Sequence, residues 1–339
     1  MRFPLSLTST LTAYLLKKKF SGQQRFPLVL MLEPLHACNL SCAGCGRIRE
    51  YADTLDRRMS VEDCLTSARE CGAPIVVIGG GEPLIYPEIA ELIEKILAMG
   101  KHIYLCTNGL NLRGRLAELP RSRRLFLNVH LDGMEATHDR LVNRPGTFAA
   151  AVDGMTAAHA AGFAVCTNTT IYKDTDIHEI AVLFAYLAQL GVDGFTIAPA
   201  YGYEAVQQGD PAAAARIFMT RDEVHEKFRL ARRLLGKFRL FASPIYLEFL
   251  CGDRELQCAA WANPTRNVRG WRGPCYLIGD AHYATYQELV AATDWEKFGP
   301  GKDPRCEHCL MHCGFEPAAV LAANQHLGDM MKMAMWQMV

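Results

Sequence analysis

The chain of 339 residues balances 36 Lys and Arg against 36 Asp and Glu, so no net field draws it to nucleic acid. Half of its residues are hydrophobic, enough for a large core, as one large domain or one domain with an appendage. It has 13 cysteines, and Lys17–Lys19 follow the apolar N-terminal stretch instead of preceding it as in a secretory signal. Metals and reactive thiols in the cytoplasm are therefore expected, more than disulfides. No apolar run is long enough to span a bilayer.

Residues 5–20, LSLTSTLTAYLLKKKF, bring Leu7, Leu11, Tyr14, Leu15 and Leu16 near one helical face closed by three lysines. Such a helix either docks on the domain or lies peripherally on a membrane, its lysines on anionic headgroups. Residues 1–24 are read as this N-terminal amphipathic helix. Leu28–Leu32 is a short apolar run with a Pro soon after, which suits a buried strand. Cys38, Cys42 and Cys45 follow in CxxxCxxC spacing on a loop that Gly44 and Gly46 allow to fold tightly. Three thiolates cover three corners of a metal centre, whereas a closed structural zinc site takes four protein ligands, so the open corner invites another ligand. Zinc and iron–sulfur chemistry both suit these soft donors.

Ser60 and Asp63 predict the start of a helix that Gly72 ends. PIVVIGGGEP is a strand breaking into a glycine run, Pro87–Met99 is helical, and HIYLCTNG and RLFLNVHLDG are the next strands. Thr147–Ala161 is helical, FAVCTNTTI is strand five, Ile177–Leu190 is helical, and DGFTIAPA is strand six. Strands alternating with helices predict an α/β fold, a partial (β/α)6 TIM-like barrel over 25–206 with its site on the C-terminal rim. QQGDPAAAA (207–215) marks a boundary, beyond which 221–236 is helical within a Cys-rich extension spanning 216–339. There Cys251 and Cys258 precede Cys275 and CEHCLMHC, and a Met-rich helix runs from Pro317. Cys275, Cys306, Cys309 and Cys313 are candidate ligands of a second metal site, zinc or an auxiliary iron–sulfur cluster, with His308 and His312 as bystanders. Reduced thiols without metal are the plain alternative.

The CxxxCxxC loop, followed one βα unit later by Gly79-Gly80-Gly81-Glu82-Pro83, resembles the radical S-adenosylmethionine (SAM) enzymes. The resemblance implies that Cys38, Cys42 and Cys45 hold a 4Fe–4S cluster whose fourth iron SAM chelates. It further implies that Gly80, Gly81 and Glu82 hold the amino group of SAM. LDG…HD…RPGTF (Asp132, His138, Asp139, Arg144) is similar to a stretch after strand four in many members, so Arg144 is expected to pair with the SAM carboxylate. Asn108, Asp132 and Asn168 stand at strand ends where ribose contacts would fall. Gly44 stands where many relatives carry an aromatic residue near the adenine, which implies a less covered adenosyl group and room for a bulky substrate.

Within that family, RFPLVLMLEPLHACNLSCAGCGRI and the ending GW…PCYL…CEHCLMHCGFEP resemble the adenosylhopene transferase group of hopanoid biosynthesis. This implies reductive cleavage of SAM, driven by an external one-electron donor such as flavodoxin or ferredoxin. The resulting 5′-deoxyadenosyl radical would add to the alkene of hopene, a triterpene substrate. The carbon radical left by such an addition needs a hydrogen atom, and Cys106, just before the TNG turn, is the expected donor through its weak S–H bond. Two other readings stand beside this one. One is a peptide- or protein-modifying radical SAM enzyme with an auxiliary cluster. The other is a zinc-stabilised binding or scaffold protein.

Overall fold

The computed structural model describes residues 2–338. Six β-branched, apolar runs become the parallel strands β1 (Val29–Leu32), β2 (Ile75–Ile78), β3 (His102–Thr107), β4 (Leu125–His130), β5 (Ala164–Ile171) and β6 (Gly194–Pro199). They pair strictly in sequence order, as successive right-handed βα units require. The helices between them are α1 (Leu5–Phe20) ahead of the sheet, α2 (Arg47–Glu50), α3 (Val61–Cys71), α4 (Ile89–Ala98), α5 (Leu112–Arg115), α6 (Glu135–Leu141), α7 (Thr147–Ala160) and α8 (Ile177–Gln189). The expected caps form: the Ser60 side chain accepts from Asp63 N at 3.1 Å, and Gly72 closes α3 in the left-handed region at φ 68°.

Alternation along the strands separates two faces. Leu105, Leu127, Val129 and Val165 are buried in the main core. Tyr104, Cys106, His130, Asn168 and Thr170, at alternate positions, are only half-buried. The second set lines the concave side of the open barrel. Its lower end is closed by Phe126, Cys166 and Phe241, with Phe3 packed on Phe241 at a centroid distance of 4.7 Å.

The C-terminal half continues the same sheet. After α9 (Glu204–Gly209), α10 (Pro211–Ile217), α11 (Arg221–Leu235) and α12 (Pro244–Leu250), strand β7 (Thr265–Asn267) pairs parallel with β1. β8 (Gly270–Pro274) and β9 (Gly279–Tyr283) then add antiparallel, making nine strands in all. The Cys-rich region thus lies against the strand that leads into the cysteine loop. α13 (Tyr286–Ala292), α14 (His312–Ala323) and α15 (Leu327–Met338) complete the chain. Two local expectations change. The 207–215 stretch is mostly helical, because PAAAA is a strong helix former with Pro at its first position. Pro317 sits inside α14 instead of opening the Met-rich helix, which starts at Leu327.

α1 docks on the protein. Leu7 is buried, Tyr14 and Leu15 pack on Phe26, Leu28, Ala262 and Ala318, and Tyr14 Oη donates to Pro27 O at 2.7 Å. Leu16, expected on the same face, is exposed, as are Leu5 and Phe20. Among the described residues no helix is long and apolar enough to cross a membrane.

Candidate functional site

The turn after β2 is sewn to the segment that enters the cysteine loop. Gly81 N donates to Leu35 O at 3.1 Å and Glu82 N to Ala37 O at 2.9 Å. Nothing larger than glycine fits: a Cβ at Gly81 would lie 1.8 Å from Ala37 O, and Gly80 holds φ 103° with its Cβ position 2.5 Å from Leu35 O. The glycines expected to approach a ligand therefore first serve the backbone just ahead of Cys38. Buried Glu82 accepts at Oε1 from Thr107 Oγ1 (2.7 Å) and Leu84 N (2.9 Å), and at Oε2 from Asn108 N (2.8 Å). Burial raises its pKa, which keeps a cation beside it welcome. Asn108, expected at a ribose, donates from Nδ2 to Asn39 Oδ1 at 2.7 Å, with Cys38 Sγ 3.9 Å away. Its amide is engaged by the cysteine loop because the end of β3 lies against that loop.

The other side of the loop is gripped by the C-terminal end of α6 and the segment after it. Ala43 N donates to Leu141 O at 2.9 Å, Asn143 Nδ2 to Ser41 O at 2.8 Å, and the exposed Arg144 Nη1 to Asn39 O at 3.2 Å. Arg144 thus stands at the rim beside the cysteines. Burial pushes the Cys38 thiol up to about 11 and Cys42 higher still. Thiols so desolvated become thiolates readily only with a cation at hand, and the donor set fits an iron–sulfur cluster.

Asp132 is buried, and each of its carboxylate oxygens engages a neighbour. Its Oδ1 accepts from Thr170 N at 2.7 Å, its Oδ2 lies 2.7 Å from His130 Nε2, and its own N donates to His138 Nδ1 at 3.2 Å. A ribose contact expected of it would have to share those oxygens; His130, on the half-buried concave face, is the group it presents. Burial works against protonation of His130, but the Asp132 carboxylate outweighs it and raises the pKa. Sequence reasoning missed His130, although HLDG places it two residues before Asp132. Asn168 pairs with His130 in the β4–β5 register and is half-buried.

The opening expected beside Gly44 is filled. A Cβ there would lie 2.8 Å from Tyr172 Cε1, so the buried Tyr172 ring, arriving from the end of β5, packs directly on Gly44. Gly44 makes room for that ring.

Cys106, Asn128 and Cys166 stand abreast on adjacent strands. Asn128 Nδ2 donates to Cys106 Sγ at 3.4 Å and Cys166 Sγ donates to Asn128 Oδ1 at 3.5 Å. Burial pushes Cys106 up to about 11 despite the Asn128 bond, so it remains a thiol with its S–H intact at neutral pH. Cys166 is buried deeper.

The C-terminal cysteines gather around one cavity of about 550 Å³, part of it open to solvent. Cys275, Cys306, Cys309 and Cys313 line it, together with Cys258, which the sequence reading left out of the site. Cys258 comes from the loop before β7 and approaches so closely that a Cβ on Gly314 would lie 2.5 Å from its Sγ. Only the folded sheet brings it there; its one sequence signal was belonging to the Cys-rich half. Burial pushes Cys258 up to about 12 and Cys306 up to about 11, with Cys309 and Cys313 well above the usual range. Among the described residues no three His, Cys, Asp or Glu side chains converge closely enough for one metal ion. His308 Nδ1 accepts from Arg221 N at 3.4 Å, outside the cavity lining.

A family model described as "Radical SAM superfamily" matches residues 32–187, and one described as "Domain of unknown function (DUF3463)" matches residues 195–333. The chain is similar to an AdoMet-dependent heme synthase of Methanosarcina barkeri (strain Fusaro / DSM 804), 28% identical over 50% of this chain and 50% of that protein. It thus spans about half the length of that relative. It is also similar to the PqqA peptide cyclase of Gluconobacter oxydans (strain 621H), 26% identical over 79% of this chain and 76% of the relative. Among solved structures, Streptococcus suis SuiB bound to precursor peptide SuiA superposes with a TM-score of 0.61 at 15% identity, covering 93% of this chain and 77% of that one. That likeness is one of fold.

Proposed function

Because residues 32–187 are a radical SAM superfamily domain, we propose that the chain cleaves SAM to methionine and a 5′-deoxyadenosyl radical and turns that radical on a substrate held at the concave face of its open barrel. The observation that carries this reading is the backbone seam between the Gly80–Glu82 turn and Leu35–Ala37, which fixes an acidic, glycine-built cradle against the cysteine loop. Cys38, Cys42 and Cys45 would hold a 4Fe–4S cluster, which would supply the electron for that cleavage, delivered from flavodoxin, ferredoxin or a similar donor. Glu82 would receive the SAM ammonium, Arg144 its carboxylate, and Asp132 would orient His130 toward the concave face. The five cysteines around the C-terminal cavity would hold an auxiliary iron–sulfur cluster, four as ligands and one in reserve.

Two substrate classes follow from different observations. A peptide substrate is favoured by a relative that covers 79% of this chain, a peptide cyclase. Addition of the radical to the alkene of hopene is favoured by Cys106. Addition leaves a carbon radical that must gain a hydrogen atom, and a neutral thiol on the concave face is a suitable donor. Making a cross-link within a peptide removes hydrogen and has no use for one. The test is anaerobic incubation of reconstituted protein with SAM and reductant, alone, with hopene and with a candidate peptide, followed by mass spectrometry. Methionine and 5′-deoxyadenosine in any arm support SAM cleavage; their absence from protein carrying a full cluster overturns it. An adduct of substrate plus adenosyl selects the alkene reading, and a peptide lighter by hydrogen selects the other.

A further inference from the structure

Arg47 follows Cys45 by two residues, yet its guanidinium reaches across to the C-terminal sheet. Its Nη2 donates to Tyr276 O at 2.6 Å, and the group lies 4.0 Å over the Tyr276 ring. Tyr276 is the neighbour of Cys275. On the barrel side Arg47 Nε stands 2.9 Å from Glu33 Oε1, and both side chains are almost wholly buried. Neither Glu33 oxygen has a hydrogen-bond partner, so Arg47 is its main source of compensation, with His36 Nε2 at 3.9 Å. The charges then alternate onward: Arg47 to Glu50 at 3.2 Å and Glu50 to Arg272 at 3.2 Å, with Arg272 donating to Leu277 O at 2.9 Å. Both guanidinia thus face the turn that carries Cys275, while both carboxylates belong to the barrel and its cysteine loop.

Such a buried chain is poor at stabilising a fold, since removing four charges from water costs about what their attraction returns. Its placement offers another use. We propose that Arg47, balanced by Glu33, is the cation that the first cysteine loop lends to the second cysteine site, where it sets the reduction potential of the auxiliary centre. This rests on the reading that the C-terminal cysteines hold such a centre. A positive charge in a low-dielectric interior favours the reduced, more negative form of a thiolate-bound cluster, and the Glu33 carboxylate offsets it.

The experiment uses full-length protein in which Cys38, Cys42 and Cys45 are all replaced by Ala, so that only the second site can load. It is reconstituted anaerobically with iron and sulfide, and its potential is read by EPR-monitored redox titration. Glu33→Gln in that background leaves Arg47 only Glu50, which it shares with Arg272, to offset its charge, so the potential should move positive. Adding Arg47→Met removes both charges and should bring it back toward the parent value. Melting temperatures are recorded alongside. An unchanged potential in fully loaded Glu33→Gln protein, with or without a lowered melting temperature, assigns the pair to packing alone and overturns the proposal. A parent protein that takes up no iron overturns the auxiliary-centre reading itself, and this inference with it.

Discussion

At Gly81 the Cβ position lies 1.8 Å from the Ala37 carbonyl oxygen, a backbone atom that cannot rotate away. Gly81→Ala must therefore push the Glu82 turn off the segment entering Cys38. The expected cost exceeds the roughly 1–3 kcal/mol of ordinary overpacking, and the variant should melt lower and bind less iron than wild type. Equal iron content and an unchanged melting temperature would show that the seam is dispensable. Cys42→Ala is expected to lose the first cluster and all SAM cleavage, because two thiolates do not replace three; 5′-deoxyadenosine assays decide. Cys106 separates the substrate readings more finely. If it delivers the hydrogen atom, Cys106→Ala still forms 5′-deoxyadenosyl products from hopene, but with altered yield or stereochemistry. Wild-type yield and stereochemistry would remove Cys106 from the reaction.

Among the elements, α1 is a docked helix first. Its Leu7, Tyr14 and Leu15 are taken up by the protein, and the side chains left exposed, Leu5, Leu16 and Phe20, lie scattered along it. Deleting residues 5–20 uncovers Phe26, Leu28 and Ala318, so the melting temperature should fall by about 2–4 °C for each kcal/mol of lost packing. Cosedimentation with anionic liposomes should not depend on the segment. Vesicle binding that disappears with the deletion would restore the peripheral-membrane expectation. β7 is the element with the widest consequence: two of its three residues, Thr265 and Arg266, pair with β1 and bring the Cys275 turn against Arg47.

Across the whole molecule, buried neutral histidines set the acid limit of stability. Burial holds His138 and His312 down to about 4, whereas the unfolded chain titrates near 6.5. As pH falls below 6.5 the unfolded state takes up protons first, so stability is complete above that value and is lost between about 6.5 and 4. His138 alone accounts for on the order of 3 kcal/mol over that window. Urea midpoints at pH 7 and pH 4.5 measure it, and equal midpoints would contradict the burial of these rings as neutral groups.

The sequence by itself determined the six βα units, their order, the CxxxCxxC loop and the glycine–glutamate turn that follows it. These are local signals: strand and helix periodicity, caps such as Ser60 and Gly72, and ligand spacing within a few residues. It also pointed to the Cys-rich C-terminal half and to Cys106 near a strand end. Only the tertiary structure decided what meets across the sheet. Tyr172 fills the space at Gly44, Asn108 turns to the cysteine loop, Asp132 holds His130, and Cys258 joins four cysteines from 17 to 55 positions further on. All of these contacts except that between Asp132 and His130 join strands or loops far apart in the chain. Their geometry follows from β-register and from the pairing of β7 with β1, and neither periodicity nor motif spacing encodes such long-range closure.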